Sequence, residues 1–184
     1  MTGRWSELHG DNEMSHLVQG MDFRLPQYRR EVFLRFYAFH LTYKAHPGCV
    51  YFVLPFLRQR LGLDQEDAYW ISYLNGNTQN PVTTYLLWKR FPHCATTRAV
   101  DVHSYVQKEW RRLFFDTDRR YWKKELGTAV QCYQDWLGGE QQQDKFARLT
   151  TFAELWKELR EKFYGFGRLS AFSYAEYLRI IGHP

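Results

Sequence analysis

Apolar side chains in this chain recur at intervals of three and four, and they alternate nowhere over a useful length. That regularity restricts the fold to helices. Val32, Phe36, Phe39 and Tyr43 form one such stripe, with Arg29, Arg30, Arg35 and Lys44 available for the other face, and His46-Pro47-Gly48 ends it. The next apolar segment, VYFVLPFLRQRLG, carries Pro55 inside, which predicts either a kinked helix or a new one beginning near the proline, with Gly62 as its stop. Asp64 is placed to cap a helix over residues 65–74, and Asn80 followed by Pro81 is a helix start running to residue 90. Further helices are expected over 98–113, across the charged segment 116–137, and over 150–164 and 168–181, with Gly138-Gly139-EQQQDK as an exposed loop. The expected architecture is all-α, with an arm at residues 1–27 and one helical domain at 28–184.

Composition narrows the function classes. The 184 residues include seven Trp, thirteen Tyr and fourteen Phe against 24% charged residues, which argues for a folded chain. A net charge of +5 is a mild bias toward polyanions. Cys49, Cys94 and Cys132 are odd in number, far apart and without a CxxC pair, which points to a reducing cytoplasm. No long apolar run and no signal-peptide core occur, so no membrane partner is expected. His40 with His46, and His93 beside Cys94, do not assemble a zinc ligand set, and no GxSxG, Walker-type or dinucleotide motif occurs.

Three stretches carry chemistry. In FYGFGRLSAFSYAEYL, residues 163–178, Gly165 and Gly167 sit between two helical patterns. Such a turn can aim bare amides at a phosphate, and the start of the following helix, with Arg168, adds positive charge. With Arg168, Ser170 and Ala171 in register it reads as a helix-hairpin-helix grip on a DNA backbone rather than a packing turn. In RRLFFDTDRRYWKK, residues 111–124, a helix would place Arg119 with Lys123 and Arg120 with Lys124 on shared faces suited to phosphate or pyrophosphate. Asp116 and Asp118 can pair with these cations, carry a divalent metal or accept a proton, and Asp116 can also cap the helix. Phe114, Phe115, Tyr121 and Trp122 interleaved with the cations favour a nucleic-acid surface. In YLNGNTQNP, residues 73–81, Asn75, Asn77, Gln79 and Asn80 present donor and acceptor side by side, as pairing with the edge of an extruded base requires. Asn75, Gly76 and Asn80 can instead be helix ends, which leaves Asn77, Thr78 and Gln79 unaccounted for.

These stretches, together with REVFLRFYAFHLTYKAHPGCVYF, resemble a phage family that hypermodifies thymine. It is described as α-glutamyl/putrescinyl-thymine pyrophosphorylases, or amino acid:DNA transferases, and is associated with 5-hydroxymethyl-deoxyuridine DNA kinases. The resemblance spans roughly residues 22–181 and implies a helix-hairpin-helix DNA glycosylase-like fold. It also implies the reaction. A kinase phosphorylates the hydroxymethyl group on uracil in double-stranded DNA, and the transferase replaces that phosphorylated group with the amine of an amino acid or polyamine, in the cytoplasm of the infected host. No cofactor is evident.

Under that resemblance Asn75, Asn77, Gln79 and Asn80 hold the base. Arg119, Arg120, Lys123 and Lys124 stabilise the leaving group, Asp116 or Asp118 takes the amine's proton or orients it, and Gly165, Gly167, Arg168 and Ser170 clamp the backbone. Glycosylases of this fold use an Asp downstream of the hairpin, yet no Asp follows Gly167, Leu169 stands where their lysine would be, and Glu176 is the remaining acid. Base excision is therefore not expected. The chain also stops soon after this helix, where relatives are expected to continue. The alternative to an enzyme is a non-catalytic helix-hairpin-helix module partnering the kinase.

Overall fold

A computed structural model describes residues 21, 25–43, 49–116 and 120–182, without the side chains of 33, 36–43, 49–53 and 120–122. The expected arm falls largely outside these residues, as do His46-Pro47-Gly48 and the side chains of Phe36, Phe39 and Tyr43. Every regular element among the described residues is helical, so the chain is all-α. Two compact units divide at Pro47 and Gly48. The first contains α1 (Pro26–Tyr43), whose Arg35 Nε donates to Glu31 Oε1 one turn back at 2.7 Å, an exposed pair of small value.

The second unit holds α2 (Cys49–Leu61), α3 (Gln65–Thr78), α4 (Pro81–Arg90), α5 (Ala99–Glu109), α6 (Leu126–Leu137), α7 (Gln142–Ala147), α8 (Phe152–Lys162) and α9 (Arg168–Ile180). α3 is its axis. From Ala68 to Thr78 every residue of α3 is buried, and α2, α4, α7 and α9 pack around it, while α5 lies on α6 and α6 meets α8. Tyr73 ties the layers together. Its ring stacks on Tyr133 at 4.0 Å and on Phe166 at 6.0 Å, meets Phe163 and Tyr174 edge-on, and its hydroxyl donates to Ala129 O at 2.7 Å.

Caps end the helices as the residue types require. Asp64 accepts from Asp67 N–H, Asn80 from Thr83 N–H with Pro81 as the first helical residue, and Thr151 and Glu154 form a reciprocal capping box on α8. Pro55 lies within one continuous helix, which sets aside a fresh start at that proline.

Four boundaries differ from expectation. α3 does not stop at residue 74 but runs through Asn75-Gly76-Asn77 to Thr78. Gly76 admits α9, since a Cβ there would stand 3.2 Å from Tyr174 Cβ and 3.3 Å from Phe166 Cζ, and the helix closes on Gln79 at φ 52°. α5 ends at Glu109, and residues 113–116 have no helical structure. The segment 116–137 is not one helix. Arg120–Glu125 is a 3₁₀ turn and α6 begins only at Leu126, so four-residue spacing does not define shared faces for the cations before it. The expected loop at EQQQDK contains α7, because Phe146 is fully buried against Tyr69 at 4.8 Å and Glu66 accepts from the N–H groups of Gln142 and Gln143 at its start.

Candidate functional site

The three stretches singled out in the sequence meet at one side chain. Lys123, only 2% exposed, donates from Nζ to Asn77 Oδ1 at 3.0 Å and to Gly165 O at 3.4 Å, and lies 5.4 Å over the Phe166 ring. The basic segment, the amide-rich end of α3 and the glycine turn are thus knotted together. A buried ammonium is costly unless its protons are matched, and here a carboxamide, a carbonyl and a ring face supply acceptors. Gly165 has φ +73°, a conformation L side chains disfavour, and this turns its carbonyl into the cluster.

The amides of α3 divide into inward and outward groups. Asn75 and Asn77 are both 0% exposed. Asn75 Oδ1 accepts from Thr84 Oγ1 at 2.9 Å, while Asn77 Nδ2 donates to Tyr73 O at 3.0 Å and its Oδ1 holds Lys123. Their carboxamides build the site from within and do not present a free edge to a base. Gln79 and Asn80 are half-buried at the surface. Gln79 is locked at both ends, its Oε1 accepting from Tyr177 OH at 2.8 Å and its Nε2 donating to Gly76 O at 3.4 Å. Asn80 Nδ2 donates to Asp116 Oδ2 at 2.8 Å while its Oδ1 caps α4, and this places the Asp116 carboxylate beside a helix start where its charge is favoured.

Asp116 is exposed and held by its own N–H, which donates to Thr78 O at 2.9 Å. Lys124 Nζ sits 5.1 Å over the Trp110 ring. Gly167 precedes α9, Arg168 is exposed at its first position, and Ser170 is buried. Asp118 and Arg119 lie outside the described residues, as does the side chain of Arg120. Glu176 is half-buried on α9. Sequence reasoning missed Tyr177, Thr83 and Thr84, whose partners lie 98, 31 and 9 residues away, and no local pattern marks them.

A separate cleft of about 890 Å³ opens among Asp64, Asp67, His93, Arg98, Gln134 and Glu140. It lies at the opposite end of α3, roughly 16 Å from Asn77 at 1.5 Å per residue. His93 Nδ1 and Asp67 Oδ1 are 2.8 Å apart there. Despite its size it holds none of the motif residues. Among the described residues no group of three or more His, Cys, Asp or Glu is arranged to hold a metal ion, and no helix is long and apolar enough to cross a membrane.

The site thus belongs to an all-helical unit in which a buried lysine joins an amide-bearing helix end, a basic aromatic segment and a glycine turn. Comparison with known proteins makes this specific: the amino acid:DNA transferase family matches residues 34–183, and the chain belongs to that family, whose members are transferases acting on DNA. A serinyltransferase of Salmonella phage ViI is 31% identical over 128 residues, which is 63% of this chain and 30% of that protein. The chain therefore spans less than a third of the length of that relative. No solved structure matches it.

Proposed function

We propose that this chain transfers an amino acid or another amine onto phosphorylated 5-hydroxymethyluracil in double-stranded DNA, with release of phosphate or pyrophosphate. Supporting the reading most directly is the position of Lys123, within 3.0 Å of Asn77 and 3.4 Å of Gly165, which makes one locus of three stretches far apart in sequence. The name of the phage relative makes serine the first donor to test. The fold is read as helix-hairpin-helix, glycosylase-like, with α8, the turn at Gly165–Gly167 and α9 as its hairpin and residues 28–184 acting as one functional domain. A 5-hydroxymethyluracil DNA kinase is the partner that supplies the substrate, and the setting is the cytoplasm of an infected bacterium.

The chemistry is a substitution at the methylene on pyrimidine C5. The C–O bond to the phosphoryl group breaks with both electrons leaving on oxygen, ring electrons support an exocyclic methylene, and the amine nitrogen forms the new C–N bond and gives up a proton. Asp116, or Asp118 beyond it, accepts that proton or orients the amine. Gln79 and Asn80 meet the base edge, and Arg119, Arg120 and Lys124 stabilise the departing anion. Gly165, Gly167 and Arg168 grip the DNA backbone. Asn75, Asn77, Lys123 and Ser170, being buried, hold these groups in place instead of touching substrate.

The test is mass spectrometry of nucleosides from DNA carrying phosphorylated 5-hydroxymethyluracil after incubation with the protein and a pool of amino acids and polyamines, serine included. The expected product is a thymine joined through nitrogen to the donor, with phosphate or pyrophosphate released in equal amount. DNA binding without any such product would favour a non-catalytic module, and free base or abasic sites would favour a hydrolase.

A further inference from the structure

The segment Leu113-Phe114-Phe115-Asp116 has an alternating character that the sequence does not announce. Leu113 and Phe115 are 1% and 3% exposed, whereas Phe114 is 57% exposed and Asp116 is also outside. Burial with a period of two is the signature of extended backbone, in which residues 114 and 116 project from the same face roughly 6–7 Å apart. The backbone is pinned at both positions, with Phe114 N–H donating to Thr83 Oγ1 and Asp116 N–H to Thr78 O, each at 2.9 Å. Beneath it the Phe115 ring stacks on Trp110 at 5.3 Å. Phe114 is therefore an aromatic ring held outward on a fixed strip of chain, with exposed Val82 on the first turn of α4 and exposed Arg111 and Arg112 just before it.

We propose that Phe114 is the surface on which the extruded pyrimidine stacks, so that the π-face of the base lies on this ring while its edge meets Gln79 and Asn80 and its C5 methylene faces the Asp116 carboxylate. The inference rests on the reading of this chain as a transferase acting on DNA and adds the residue that holds the substrate's face. Two observations and one general property of stacking combine. The ring shares a face with the Asp116 carboxylate, which Asn80 holds at 2.8 Å. Arg111 and Arg112 are placed for the flanking phosphates, since the ion pair of Arg112 with Glu109 at 3.1 Å leaves the guanidinium largely solvated. Stacking on an aromatic ring is indifferent to base identity, so selection is left to the polar groups at the edge.

Photocrosslinking tests this with duplexes carrying 5-iododeoxyuridine at the target position or one nucleotide to its 5′ side, alongside binding measured by anisotropy and transfer measured on phosphorylated substrate. The expected result is a crosslink from the target position that maps to Phe114 and vanishes in Phe114→Ala. In the same variant KM for DNA should rise roughly 5- to 150-fold with a smaller change in kcat, the range that removal of one base stack gives. Phe114→Trp should recover KM. Since the ring is exposed, circular dichroism and the melting temperature of Phe114→Ala should match the parent. A crosslink from the target that maps elsewhere or survives in Phe114→Ala, or one formed only from the 5′ neighbour, overturns the stacking inference while transfer by the parent protein leaves the transferase reading intact. A parent protein that binds no DNA and yields no product overturns both.

Discussion

Lys123 Nζ and Asn77 Oδ1 lie 3.0 Å apart in the interior, 46 residues apart in the chain, and each satisfies a group the other would leave stranded. Removing both partners should therefore cost less than the sum of removing each alone. A double-mutant cycle of Lys123→Met and Asn77→Leu, followed by urea unfolding, should show single losses of about 1–3 kcal/mol and a coupling of at least about 0.5 kcal/mol. Additive losses would show that the bond contributes nothing of its own.

Gln79 occupies the left-handed region at φ 52°, which glycine tolerates and other residues adopt at a cost. Its side chain is held by Tyr177 and Gly76. Gln79→Gly relieves the backbone strain but forfeits the hydrogen bond from the buried Tyr177 hydroxyl, so the melting temperature should stay level or fall slightly, and transfer to DNA should drop because the amide is gone. Tyr177→Phe should lower stability by about 1 kcal/mol through the missing hydrogen bond and depress transfer in the same direction. A Gln79→Gly protein of full activity would remove this amide from the site.

Two buried glycines differ in how much room surrounds them. A Cβ at Gly76 meets side-chain atoms at 3.2–3.3 Å, whereas one at Gly127 meets Ala99 O and His103 Cβ at 2.6 Å. Alanine recovers helix propensity of up to about 1 kcal/mol at either position. Overpacking costs typically about 1–3 kcal/mol, and only at Gly127 must a backbone carbonyl give way. Gly127→Ala should therefore melt several degrees lower than Gly76→Ala. The reverse order in differential scanning calorimetry would contradict the packing of α5 on α6.

Burial pushes the Cys94 thiol up from 9.0 to about 12. A native group harder to ionise than its unfolded counterpart adds stability that is full below pH 9 and lost as pH rises toward 12, because the folded state then binds the extra proton. The alkaline decline in stability should be shallower in Cys94→Ala. Iodoacetamide at pH 8 should also label the native Cys94 far more slowly than the half-exposed Cys132, and equal labelling rates would contradict this environment.

Exposed cations, not buried ones, should set the salt dependence of DNA binding. Arg112 and Arg168 are exposed whereas Lys123 is buried. Replacing Arg112 or Arg168 by Ala should flatten the plot of log affinity against log salt by about 0.9 for each DNA phosphate left without its cation. Lys123→Met, at a temperature where it stays folded, should leave that slope unchanged, and a shallower slope would place this ammonium on the DNA.

The all-helical class, the caps at Asp64 and Asn80-Pro81, and the three unusual stretches that meet at Lys123 were all legible in the order of the residues. Each rests on spacing and on hydrogen bonds within a few positions. Where α3 ends was settled by packing across the molecule, since Asn75-Gly76-Asn77 is a poor helical sequence that continues because Gly76 lets Tyr174 and Phe166 come close. Packing settled as well that Asn77 and Lys123 face each other inside while Asn80 and Asp116 meet at the surface, and that Phe114 points out where Phe115 points in. Which side of a short irregular segment is buried depends on partners tens of residues distant, and no local periodicity encodes them.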